Sequence, residues 1–201
     1  MLDSRVRKII EKPLDFLGRR LASTGINANS VTIIGFVFGL ASILSISFGN
    51  LPYGLFFLCL NRIADGLDGA IARTIRLTDF GGFLDIVADF IIYAGVVFAF
   101  AIDNPDNAFY AAFLIFSFVG PITSFLAYAI IAAKKDINTS KRGRKSFYYL
   151  GGICEGTETA FILILMCITP HLFSKICIIY GILCWLTTIG RVYATWNDFG
   201  K

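Results

Sequence analysis

The chain has 201 residues, a net charge of +4 and a hydrophobic fraction of 56%. That apolar content exceeds what a soluble domain usually carries, and so small a net charge excludes a nucleic-acid-binding balance. Apolar runs near membrane-spanning length, about 20 residues, recur along the whole chain, so the fold class is an all-α, multi-span membrane protein without a separate soluble domain.

Residues 3–22 read as an amphipathic helix. Val6, Ile9, Ile10, Leu14, Leu17 and Leu21 recur at helical spacing, while Arg5, Arg7, Lys8, Lys12, Arg19 and Arg20 take other positions. Such a helix lies in the headgroup region with its basic residues towards anionic lipid. The first apolar run begins near Val31, too late for a cleavable signal peptide. Residues 1–30 are therefore expected to form an interfacial helix and linker, and residues 31–201 a membrane domain.

Six spans follow, roughly 31–49, 51–72, 81–102, 107–133, 148–170 and 174–196. Asn50-Leu51-Pro52, Asp103-Asn104-Pro105-Asp106 and Thr169-Pro170 mark turns on one side. The other side carries the positive charge: Arg73 and Arg76 in one connection, then Lys134, Lys135, Lys141, Arg142, Arg144 and Lys145 in another, with Lys175 the exception. Basic connections stay in the cytoplasm, which puts both termini there, as an even number of spans requires. The cysteines Cys59, Cys154, Cys167, Cys177 and Cys184 all fall in apolar segments and read as buried thiols. His171 stands alone in a turn, so a His/Cys metal site is not expected.

The orientation gives depth to the polar residues. Asp65 and Asp68 come near the cytoplasmic end of the second span, and Asp85 and Asp89 in the first turns of the third. Glu155 and Glu158 open the fifth span, and Arg191 lies near the end of the sixth. An aspartate at the centre of a membrane helix costs about 2.5–3.5 kcal/mol, less near the interface, so four of them require a compensating partner. Asp65 and Asp68 share one helix face, as do Asp85 and Asp89 four residues apart. A short connection makes the two helices antiparallel neighbours, and if the faces meet, four carboxylates surround one small volume. A hard divalent cation resolves the repulsion. Mg²⁺ takes oxygen ligands and pairs carboxylates with substrate phosphates, and two such ions form a phosphoryl-transfer site. Gly66, Gly69, Gly81 and Gly82 clear space beside the carboxylates, either for a ligand or for close helix packing. Arg73 is placed to grip a phosphate.

Asp65-x-x-Asp68-Gly69-x-x-Ala72-Arg73, seven residues, then Gly81-x-x-x-Asp85-x-x-x-Asp89 resembles the signature of the CDP-alcohol phosphotransferases, with every fixed position filled. Gly25 to Thr32 resembles the segment this family places before its first span, with Ala28 where proline is frequent. The resemblance implies a bacterial inner-membrane enzyme of phospholipid synthesis, with its active site near the cytoplasmic face. The phosphatidyl group of a CDP-linked lipid such as CDP-diacylglycerol passes to a small polar alcohol, and CMP leaves. It implies two Mg²⁺ or Mn²⁺ ions on Asp65, Asp68, Asp85 and Asp89, with Asp89 also the general base for the acceptor hydroxyl. Gly69, Gly81 and Arg73 would bind the CDP-lipid, and the enzyme would be a homodimer. Gly95, Gly120 and Ser124 are candidates for that interface.

A phosphorylated acceptor needs a second basic site, for which Arg191, Lys141 and Arg142 are candidates. Glycerol 3-phosphate is the first expectation, as in phosphatidylglycerol-phosphate synthesis. Glu155 and Glu158 are expected to pair with Arg191 or Arg62, ahead of binding a polyol or lining a wet helix mouth. Two other readings compete. An intramembrane cation or proton transporter would use the aspartates as an ion path, but the charges cluster near one face and no internal repeat is visible. A non-catalytic relative would bind nucleotide or metal without turnover.

Overall fold

The computed structural model describes residues 3–135 and 152–200. Among these lie seven α-helices: α1 (Asp3–Ser23), α2 (Ala28–Ser47), α3 (Leu51–Thr74), α4 (Asp79–Asp103), α5 (Ala108–Lys134), α6 (Gly156–Ile168) and α7 (Phe173–Phe199). The described residues contain no strand. Local chemistry sets several boundaries. The Asn27 side chain caps α2 by accepting from Asn29 N, and Thr78 caps α4 by accepting from Gly81 N. Pro52 sits in the first turn of α3, where its missing N–H costs nothing. Between α2 and α3 the chain reverses at Gly49, whose φ of +76° few other residues adopt.

The α2–α3 pair is packed through small residues. A Cβ at Gly35 would lie 2.9 Å from Ala64 Cβ, and one at Gly39 would lie 3.3 Å from Asn61 Nδ2. Ser42 Oγ donates to Gly54 O at 2.7 Å, and Asn61 Nδ2 donates to Gly35 O at 2.9 Å. Each hydrogen bond crosses the helix contact, so close approach and polar satisfaction arise together. Further along, the rings of Phe100 and Phe173 stack at 4.7 Å between α4 and α7, in a core with Val96, Val97, Leu114, Leu163 and Met166. Gly95 packs on Ile43, and Gly120 packs on Thr188. Those glycines, expected at a dimer contact, are used within the chain, and Ser124 Oγ is turned onto Pro121 O at 3.2 Å.

Large apolar side chains cover the outside. Ile33, Val37, Leu40 and Leu44 form an exposed stripe on α2 that Phe48 continues just past its end, and Ile179, Ile182, Leu186, Ile189 and Tyr193 form one on α7. Four described segments are long and apolar enough to cross a membrane: Ala28–Ser47, Asp79–Asp103, Pro105–Lys134 and Pro170–Phe199. The α3 helix has the length, with 24 residues, but is more polar than these because Asn61, Arg62, Asp65 and Asp68 lie along it.

The fifth predicted span requires correction. The described part of 148–170 is helical only over Gly156–Ile168, 13 residues, a length of about 20 Å. Residues 152–155 turn instead. Gly152 N donates to Glu155 Oε1 at 2.8 Å, and the N–H groups of Ile153 and Cys154 both donate to Thr187 Oγ1. Side chains thus satisfy donors that a helix would have used, in a stretch weakened by Gly152 and Gly156. Lys141, Arg142, Arg144 and Lys145 lie outside the described residues.

Replacing Gly35 by valine is expected to destabilise the protein by about 1–3 kcal/mol, because Ala64 Cβ is fixed to its backbone and the helices must separate. Gly190, with nothing within 4 Å of an added Cβ, is the control. Gly190→Ala is expected to leave stability unchanged or raise it by about 0.5–1 kcal/mol. Unfolding midpoints in detergent measure both.

Candidate metal and phosphate site

Side chains of α3 and α4 converge beside α2, and Asp65, Asp68, Asp85 and Asp89 all line one cleft. Thr32 and Gly35 from α2 form another wall. The four carboxylates are not equivalent. Asp65, Asp68 and Asp85 each offer an oxygen, and these atoms lie within 4.8 Å of one another. Three hard anionic oxygens at that separation suit one divalent cation of the Mg²⁺, Mn²⁺ or Ca²⁺ kind. Asp68 is the most deeply placed, with 5% of its surface exposed. Its Oδ2 accepts from Thr32 Oγ1 at 2.6 Å, which fixes the carboxylate's rotation.

Asp89 stands apart from the triad. Its Oδ1 accepts from Arg62 Nη2 at 2.8 Å, and its Oδ2 accepts from the Tyr93 hydroxyl at 2.9 Å. Arg62 Nη1 donates to that same hydroxyl at 2.9 Å, so the three groups close a ring of hydrogen bonds. Asn61 anchors it, its Oδ1 accepting from Arg62 Nε at 2.8 Å and Nη2 at 2.6 Å. Arg62 Nη1 also lies 3.7 Å from Asp65 Oδ2. The guanidinium thus sits between the triad and Asp89.

Arg73, expected on a phosphate, forms an ion pair with Asp15 of α1, Nη2 to Oδ1 at 2.8 Å. One turn before it, Gly69 meets only the Arg73 guanidinium, at 3.4 Å from an added Cβ, and keeps the helix surface open. Gly66 serves packing, because a Cβ there would press on Leu14 of α1 at 2.9 Å. Gly81 lies where α4 starts beside the start of α2, and an added Cβ would be 2.8 Å from Thr78 Oγ1 and 3.0 Å from Asn29 Oδ1. Its lack of a side chain therefore preserves the α4 cap.

Arg191 is buried on α7 and is not among the residues that line the aspartate cleft. Its Nη1 donates to Pro121 O at 2.7 Å, and it packs on Gly152 and the Phe125 ring. Glu155, one of the two glutamates expected to pair with it, accepts from Gly152 N through Oε1 at 2.8 Å. Arg62, the other partner considered for those glutamates, is bound to Asp89 instead. Arg191 Nε has no hydrogen-bond partner among the described residues.

Sequence reasoning overlooked Asn61 and Tyr93. A signal was present: Asn61 and Arg62 precede Asp65 by four and three residues, and Tyr93 follows Asp89 by four. Helical spacing puts each beside its aspartate.

Residues 26–193 match the family model described as CDP-alcohol phosphatidyltransferase. The chain is 43% identical to the inner membrane protein YnjF of Escherichia coli, over 96% of this chain and 95% of that protein. It is 30% identical to an archaetidylinositol phosphate synthase of Pyrococcus horikoshii, over 94% of each chain. Its fold resembles the crystal structure of Mycobacterium tuberculosis phosphatidylinositol phosphate synthase with CDP-DAG bound, with a TM-score of 0.71 and 22% identity over 91% of this chain and 93% of that one.

Thr32 holds one carboxylate of the triad from behind. Thr32→Val is expected to weaken Mn²⁺ binding about 10- to 100-fold, the usual effect of losing an outer partner of a metal ligand. A titration followed by electron paramagnetic resonance measures it.

Proposed function

The chain belongs to the CDP-alcohol phosphatidyltransferase family, and from that premise we propose that it transfers the phosphatidyl group of CDP-diacylglycerol to a small polar alcohol, releasing CMP. The observation that carries this reading is the carboxylate triad sharing one cleft with a fourth, separately held aspartate. The Mycobacterium tuberculosis synthase of similar fold has CDP-DAG bound, which supports the same donor here.

The proposed roles follow from the geometry. Asp65, Asp68 and Asp85 hold the divalent metal, Mg²⁺ or Mn²⁺. When bound, a metal there supplies charge neutralisation of the diphosphate and polarisation of the phosphorus under attack. Asp89 accepts the proton of the acceptor hydroxyl as its oxygen bonds to phosphorus. The bond from that phosphorus to the bridging oxygen breaks, and the oxygen leaves with CMP. Asp89 Oδ1 accepts from Arg62 and Oδ2 from Tyr93, and a carboxylate oxygen can accept a second hydrogen bond. Gly69 and Gly81 leave room for the nucleotide, and Arg73 exchanges Asp15 for a nucleotide phosphate.

For the acceptor we favour a polyol phosphate. Inositol phosphate comes first, because a relative 30% identical to this chain is named an archaetidylinositol phosphate synthase. Glycerol 3-phosphate, the expectation from sequence, is second. Arg191, with Lys141 and Arg142 from the basic connection, would meet the acceptor's phosphate. Gly152, against which Arg191 packs, is four residues from Gly156, where an added Cβ would be 3.5 Å from the Tyr93 hydroxyl.

In the membrane we propose six spans, counting α3 and the region of α6 with the four long apolar segments. Both termini and the cleft face the cytoplasm of a bacterial inner membrane, as the distribution of Lys and Arg and the name of the Escherichia coli relative support. Residues 1–30 form an interfacial helix and linker ahead of the membrane domain, with exposed Phe16 and Leu17 directed at lipid. The working unit is a homodimer.

Purified protein is expected to release CMP from CDP-diacylglycerol with Mg²⁺ or Mn²⁺ and one acceptor from a panel of inositol phosphate, glycerol 3-phosphate, inositol, serine and glycerol. EDTA should abolish release. Asp68→Asn and Asp89→Asn should lose nearly all turnover while inserting normally. Cation movement without CMP release would favour a transporter. CMP binding without product across the panel would favour a non-catalytic relative.

A further inference from the structure

Resting on the reading of Asp65, Asp68 and Asp85 as a metal triad, we propose that the substrate-free protein holds one divalent ion and that Arg62 is its permanent second cation. The triad's three oxygens are gathered tightly enough for a single ion. Asp89, needed for a second, is not among them, and the space between Asp65 and Asp89 is taken by a guanidinium.

Arg62 is built into that position. Its side chain is 12% exposed. Asn61 Oδ1 accepts from two of its nitrogens, and Asn61 is itself tied to the α2 backbone at Gly35 O. On the other side, the guanidinium carbon lies 5.0 Å from the centroid of the Tyr93 ring, and Nη1 bonds the Tyr93 hydroxyl. A planar fork with five donors can bind Asn61, Tyr93 and Asp89 at once, which a lysine ammonium cannot match. Three helices therefore fix the cation: α3 carries it, α2 anchors its Asn61 neighbour, and α4 supplies Asp89 and Tyr93.

Charge explains the arrangement. Four carboxylates line the cleft with one guanidinium. One divalent ion with Arg62 leaves a single negative charge if all four are ionised, whereas two ions with Arg62 would leave a positive one. A second ion close to a buried guanidinium is repelled until an anion arrives. Mg²⁺ commonly takes part of its ligand shell from substrate phosphates, and a diphosphate is such an anion. Arg62 thus acts as a positioning residue, holding Asp89 oriented before substrate enters.

The test is a count of bound Mn²⁺ by electron paramagnetic resonance, on EDTA-stripped full-length protein in detergent without nucleotide. Wild type is expected to bind one ion per chain. Arg62→Met should raise the count to two, because Asp65 and Asp89 then lack their cation. Asp89→Asn, in a chain that keeps Arg62, should still bind one. Two ions in wild type, a count of one in correctly folded Arg62→Met, or loss of the ion in Asp89→Asn would each overturn the proposal. Zero ions in wild type would remove the triad reading as well, which separates that failure from the others.

Discussion

The attraction between the Arg62 guanidinium and Asp89, at 2.8 Å in a largely buried position, organises the cleft where α2, α3 and α4 come together. Charges removed from water are tolerated only when paired and hydrogen-bonded. Here the pair is satisfied by neighbours from three helices, so each helix is held at a defined rotation. The remaining carboxylates lack a comparable protein cation within the cleft. Three of their oxygens, gathered within 4.8 Å of one another, could hold a hard metal ion, which is the proposed route to phosphate.

Packing and chemistry depend on the same small residues. Gly35 and Gly39 let α2 approach α3 closely enough for Asn61 to reach a backbone carbonyl and for Thr32 to reach Asp68. A wider helix spacing would leave Asn61 without its anchor and the Asp68 carboxylate free to rotate. Membrane helices gain little from hydrophobic burial against one another, so close contact and interhelical hydrogen bonds must bind them. This protein makes those contacts beside its carboxylates, which couples stability of the helix pair to order in the cleft.

The aspartates were legible in the sequence because carboxylates in apolar runs are costly and their spacing of three and four residues is helical. The four long apolar spans were legible for the complementary reason. The fifth predicted span misled, because apolar content cannot register that Thr187, distant in sequence, captures the backbone donors of Ile153 and Cys154. The carboxylate that Arg73 pairs with, Asp15, lies 58 positions away and carried no sign of that pairing in the sequence. Asn61 and Tyr93 carry no signature of their own. Their importance arises from Arg62, whose partner could not be chosen until α3 and α4 were both placed against α2.

The contact of α1 with α3 bears on what constitutes the smallest complete unit. The segment shared with the family starts at residue 26, after α1 has ended. Yet a Cβ at Gly18 would be 2.7 Å from Ala70 Cβ, Leu14 covers Gly66, and Ala70 and Ile71 are wholly buried. A chain trimmed to the shared segment would open those positions to lipid or water within one helical turn of Asp68, and would strip Arg73 of its carboxylate. The stretch that the family model matches and the stretch whose contacts enclose α3 therefore have different boundaries.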